Sequence, residues 1–88
     1  MTLNFNEIEL KTLDGEVIEN SNFHKTLANS LYHNAATVDF VDIAIEINRG
    51  NSIELTEAQV SEVKRVVDLP QSRIATHARK AFHDFIAE

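Results

Sequence analysis

The side chains in this sequence that could bind a metal or move a proton are four histidines and fourteen carboxylates, and their spacing decides which of them can act together. His24 and His33 stand nine apart, and His77 and His83 six apart. Two ligands on one helix face fall three or four residues apart, so neither pair makes a metal site, and no metal or cofactor is expected. Asp39, Asp42 and Glu46 are spaced i, i+3 and i+7, which does put three carboxylates on one helix face. Such a stripe suits paired-carboxylate chemistry, a divalent cation or an acidic contact surface. The simpler reading, which periodicity favours, is the wet side of a helix, with Asp39 in the first turn and Arg49 at the end, where the helix dipole favours an anion and a cation respectively. No serine sits in a Gly-x-Ser-x-Gly elbow, and two glycines cannot build a phosphate-cradling loop. A small core also leaves little room for the pocket of roughly 300 Å³ or more that small-molecule sites use. The expectation is a protein that is not an enzyme.

Charge is divided unevenly. Residues 1–62 hold 11 acidic and 3 basic side chains, a balance of −8, whereas residues 63–88 hold 3 acidic and 5 basic, a balance of +2. Arg73, His77 and Lys80 recur at i, i+4 and i+7 with Arg79 and His83 beside them, a short basic strip able to meet phosphates. The competing reading is a solvated helix face whose cations pair with the acidic body of the domain; the strip has no exposed aromatic for base stacking.

These residues must be carried by a single domain, because 88 residues support one hydrophobic core. With 43% hydrophobic and 25% charged residues the chain lies in the ordinary globular range. The absence of cysteine favours a reducing, intracellular compartment. The first seven residues show neither a basic n-region nor an apolar run, so no secretory signal is expected, and no stretch approaches the roughly 20 apolar residues of a membrane span.

The fold expected is α+β: an N-terminal β-hairpin over 5–19 and four helices over about 21–34, 37–49, 56–68 and 71–86. Ile8-Glu9-Leu10-Lys11-Thr12 alternates into Leu13-Asp14-Gly15, and Glu16-Val17-Ile18-Glu19 resumes a strand pattern. A three-residue loop with Gly15 left-handed places Leu10 opposite Ile18 and Lys11 opposite Val17; a two-residue loop would set Leu10 against Glu19, which burial disfavours. Asn20 and Ser21 offer caps for the first helix, and Thr37 for the second. In that second helix Val38, Phe40, Val41, Ile43, Ala44, Ile45 and Ile47 leave only a narrow polar stripe, the signature of a buried helix, and Gly50 is its stop. Ile53 and Leu55 alternate around Glu54 as a candidate third strand on the hairpin edge. Thr56 and Gln59 form a capping-box pattern ahead of Val60, Val63, Val66 and Val67, and Pro70 precedes the last helix, with Phe82 and Phe85 assigned to the core.

The arrangement Leu13-Asp14-Gly15 then Ile18, Leu27-Ala28-Asn29 with Leu31, Ala44 and Ile47 before Gly50, Glu54-Leu55-Thr56 before Val60, Val63 and Lys64, and Pro70 ahead of an amphipathic helix resembles small proteins of tailed bacteriophages, prophages and related mobile elements that have no assigned function. The resemblance spans most of the chain and implies a setting, bacterial cytoplasm, but no catalytic or binding residue. Together these readings favour a non-enzymatic protein-interaction module whose acidic surface, Asp39, Asp42 and Glu46 with Glu7, Glu9, Glu16 and Glu19, meets a protein partner. The alternatives are a nucleic-acid-binding regulator using Arg73, His77, Arg79, Lys80 and His83, and a minor virion structural or assembly factor.

Overall fold

Apolar residues recurring every three or four positions set the helices, and in the computed structural model, which describes residues 2–18 and 22–87, they line one continuous core. Helix α1, Phe23–Asn34, buries Phe23, Leu27, Ala28 and Leu31. Helix α2, Phe40–Asn48, buries Phe40, Ala44 and Ile47 and packs chiefly on α1. Helix α3, Glu57–Asp68, buries Val60, Val63, Val66 and Val67, and α4, Thr76–Ala87, buries Ala78, Phe82 and Ile86. The α+β class holds, with four α-helices and one two-stranded antiparallel sheet among the described residues.

The sheet is not the one the local pattern suggests. Strand β1, Thr2–Leu3, pairs with β2, Ile53–Glu54, so the segment expected to extend the hairpin instead joins the N-terminal residues, where the Thr2 hydroxyl also donates to the Glu54 carboxylate. That route is fixed by Phe5, which is buried with its ring centroid 6.0 Å from those of both Phe82 and Phe85. Phe5–Glu7 forms a single 3₁₀ turn, capped by the Asn4 side chain accepting from the Asn6 N–H at 3.0 Å, so the hairpin does not begin at residue 5.

The hairpin is short and keeps the expected register. Lys11 faces Val17 across an antiparallel bridge, the Thr12 N–H donates to Glu16 O at 2.8 Å and the Ile18 N–H to Leu10 O at 2.7 Å. Gly15 takes φ +89°, a conformation that costs an L side chain a Cβ clash. Glu19, Asn20 and Ser21 lie outside the described residues. Helix α1 starts at Phe23 with Asn22 in the cap position, which is left-handed at φ 52° and makes no side-chain cap.

Three helix starts or faces differ from the expectation. Thr37 is not the cap of α2: Asp39 occupies that position, and Thr37 to Asp39 form a tight lead-in turn closed by the Phe40 N–H on Thr37 O at 3.3 Å. The start of the last helix moves to Thr76, because Pro70–Ser72 is a 3₁₀ turn and Arg73 is left-handed at φ 61°. Buried Ser72 holds this corner, its hydroxyl donating to Val67 O at 3.1 Å and accepting from the Ile74 N–H at 3.3 Å, while the Ser30 hydroxyl donates to Ser72 O at 2.5 Å. Finally, α2 is not a buried helix; one apolar side of it faces solvent. The capping box of α3 is formed as its pattern suggests, with reciprocal bonds of 3.2 and 2.9 Å between Thr56 and Gln59.

Candidate protein-binding face

At roughly 100° per residue, α2 and its lead-in turn divide into three arcs. Phe40, Ile43, Ala44 and Ile47 turn to the core, Ile43 half-buried and the others buried. Asp39, Asp42 and Glu46 form an acidic edge. Val38, Val41 and Ile45 fall within about 60° of one another on the remaining arc, and they stay exposed at 89%, 38% and 39%. Apolar burial is worth about 25 cal/mol per Å², so a β-branched stripe left in water is stabilisation the isolated fold does not use. Helix α2 cannot bury every apolar side chain, because α1 covers one side of it only; the all-round apolar pattern that suggested burial is shared between a core face and a surface.

The three carboxylates beside that stripe are not equivalent. Glu46 is half-buried and spends both oxygens inside the molecule, accepting from Arg49 at 3.2 Å and from the Asn51 amide at 2.9 Å, which ties the end of α2 across Gly50 at φ +79°. Asp39 and Asp42 are exposed. The Thr37 hydroxyl, foremost, holds the Asp39 carboxyl below the usual range, with the residue's own N–H and the Gln59 side chain adding to it, so Asp39 stays ionised into mildly acidic conditions. Asp42 has no ion pair among the described residues.

The hairpin carboxylates belong to a different region. Glu7 and Glu9 line an open groove of about 1020 Å³ between the hairpin, including Leu13 and Ile18, and the α4 residues His77, Lys80, Ala81, Asp84 and Phe85; no residue of α2 borders it. The groove is larger than a small core was expected to leave, because the hairpin tip stands away from α4 rather than packing on it. Glu16 is exposed beside the loop, and Glu19 is outside the described residues.

The basic strip is dispersed. Arg73 leaves the helix at its left-handed corner, and Arg79 turns inward, donating to Leu69 O at 3.4 Å with its Nε buried and unpartnered. Lys80 pairs with Asp84 at 3.0 Å, and His83 meets Asp68 at 2.9 Å. His77 is exposed on the groove rim. Of the remaining histidines, His24 is held below its ordinary value by burial and then by Lys25. No cluster of three potential metal ligands occurs among the described residues, and no described helix is long and apolar enough to cross a membrane.

No family model, curated protein or solved structure matches the chain. The geometry therefore stands on its own.

A tie that residue spacing did not single out joins α3 to the end of α1. Glu62 accepts from Arg65 at 2.7 and 2.8 Å and from the Ala36 N–H at 2.8 Å, and Arg65 donates on to Asn34 O at 3.3 Å. The Arg65 bonds, with the Ala36 N–H, push the Glu62 carboxyl down to about 2. The i, i+3 spacing of Glu62 and Arg65 was readable, but the backbone partners 26 and 31 residues away were not.

Proposed function

We propose that this domain is a non-enzymatic protein-binding module that meets a basic protein partner through the outer face of α2. The observation carrying the reading is the pairing of an exposed apolar stripe, Val38, Val41 and Ile45, with the carboxylates Asp39 and Asp42 along its edge. Apolar side chains supply affinity on desolvation, while flanking charges select the partner and speed encounter. The body of the domain, at −6 overall, adds long-range attraction for a cationic partner and repels nucleic acid. Glu46 is a structural member of the fold and drops out of the proposed surface. The setting, a phage or mobile element in bacterial cytoplasm, is proposed from the resemblance of Leu13-Asp14-Gly15 and the associated residues alone.

The test is affinity capture from nuclease-treated bacterial lysate with the tagged chain and with an Asp39→Lys/Asp42→Lys variant. A protein retained by the parent chain and lost by the variant supports the reading. A protein held equally by both, or recovery that disappears on nuclease treatment, overturns it.

A further inference from the structure

The shape of the α2 face narrows what its partner presents, and we infer that the occupant is a basic amphipathic α-helix of another protein. This rests on the protein-binding reading above and adds the form of the partner. Val41 and Ile45 stand one turn apart on α2, and Val38, in the turn just before it, precedes Val41 by three residues, so the three make a short apolar ridge at the start of α2. A ridge of this kind packs into the groove between side-chain rows of a second helix. Strand addition has nothing to grip there, because the N–H and C=O groups along α2 are engaged in the helix itself, and an extended segment needs an open row of backbone donors and acceptors.

Charge decides what flanks the partner's apolar stripe. The ridge is bordered on one side by exposed Asp39 and Asp42, while Arg49 at the C-terminal end of α2 is held by Glu46 at 3.2 Å, and Arg65, which reaches Asn34 O, is held by Glu62 at 2.7 Å. A complementary helix therefore carries leucine-like residues at i, i+3 or i+4 and i+7, with lysine or arginine along the edge that faces Asp39 and Asp42. A second copy of this chain is disfavoured as the occupant: it would bring Asp39 and Asp42 of both copies to the interface and join two chains of net charge −6. The ridge is short, so binding belongs to the transient class of small interfaces.

The experiment titrates the isotope-labelled full chain with three synthetic peptides of roughly 18 residues, long enough to hold a helix. The first combines a leucine stripe with lysine flanks; the second replaces the lysines by glutamate; the third scrambles the first so that composition is kept and the stripe is lost. Saturable amide shift changes centred on residues 37–46 are expected with the first peptide, with binding at least about tenfold weaker for the other two. Val38→Asp, at a position 89% exposed, and Asp39→Lys/Asp42→Lys are each expected to weaken the first peptide by about tenfold or more with amide dispersion unchanged. Equal binding of the scrambled or glutamate peptide, shift changes centred on the groove between the hairpin and α4, or self-association of the free chain through residues 38–45 would each overturn the proposal. If the peptides fail but the captured protein is still lost from the Asp39→Lys/Asp42→Lys variant, the helical form of the partner is wrong and the protein-binding reading survives. If that variant also keeps the captured protein, both fall.

Discussion

Helices α2 and α4 each carry like charges at helical spacing, acidic on nearly all-apolar α2 and basic on amphipathic α4, yet the fold uses them in opposite ways. In α4 most of the polar side chains are engaged within the fold, Lys80 with Asp84, His83 with Asp68 and Arg79 with a backbone carbonyl, with His77 exposed, while Phe82 and Ile86 are buried. At the outer face of α2 two of three carboxylates face solvent beside an apolar ridge that the described residues leave partly exposed. A charge run is thus a candidate binding surface only where the fold leaves its members unspent and sets apolar surface beside them. Those are tertiary facts, and a helical wheel reports neither.

The contrast is open to direct attack. The largest effect is expected in the core that α4 completes: Phe82→Ala, which removes a fully buried ring packed on Phe5, should cost about 3–5 kcal/mol in denaturant unfolding. A loss below 1 kcal/mol would mean that α4 is not the anchored helix of the pair. Next comes Glu62, the carboxylate most fully spent inside the fold. Glu62→Gln should destabilise by about 1–1.5 kcal/mol, the worth of bonds to a charged group discounted for solvent screening at a pair whose Arg65 is exposed. Its folded value is depressed from 4.5 to about 2, so its stabilisation is complete above about pH 4.5 and is lost as pH falls toward 2. The stability difference between the parent chain and Glu62→Gln should therefore shrink across that window; a difference constant with pH would remove the charge from the explanation. Thr56→Ala, which deletes one half of the capping box, should cost about 1 kcal/mol in the same unfolding assay. The smallest effect is expected on α2: Val38→Asp and Asp42→Lys should each change stability by less than about 0.5 kcal/mol. A cost of 2 kcal/mol or more for either would show that the outer face of α2 is part of the fold rather than available to a partner.

How far this contrast could be read from residues alone depends on how local its causes are. The hairpin register was legible because Gly15 demands a left-handed position and because only one loop length sets Leu10, which is buried, against Ile18 rather than a glutamate. The capping box was legible because both partners lie within one helical turn. Pairing of Ile53–Glu54 with Thr2–Leu3 depends on where Phe5 docks, some fifty residues from its strand partner, and local alternation carries no such information. The start of α4 lies five residues later than the sequence pattern predicts because Arg73 adopts φ 61°, a conformation costly for arginine, at the corner held by the Ser72 bonds to Val67 and Ile74. The acidic spacing of Asp39, Asp42 and Glu46 was visible, but its division into a structural Glu46 and two exposed aspartates depends on Asn51 and Arg49. The exposure of Val38, Val41 and Ile45 is not legible in the sequence, because an all-round apolar helix has no inside until its neighbours are known.

The most direct test of the α2 face is residue-resolved mapping of the captured partner onto the labelled full chain by amide shift perturbation. Changes centred on Val38 to Glu46, abolished by Asp39→Lys/Asp42→Lys, are the predicted result. Changes centred on His77 to Asp84 or on the hairpin tip at Leu13, with α2 silent, would contradict it.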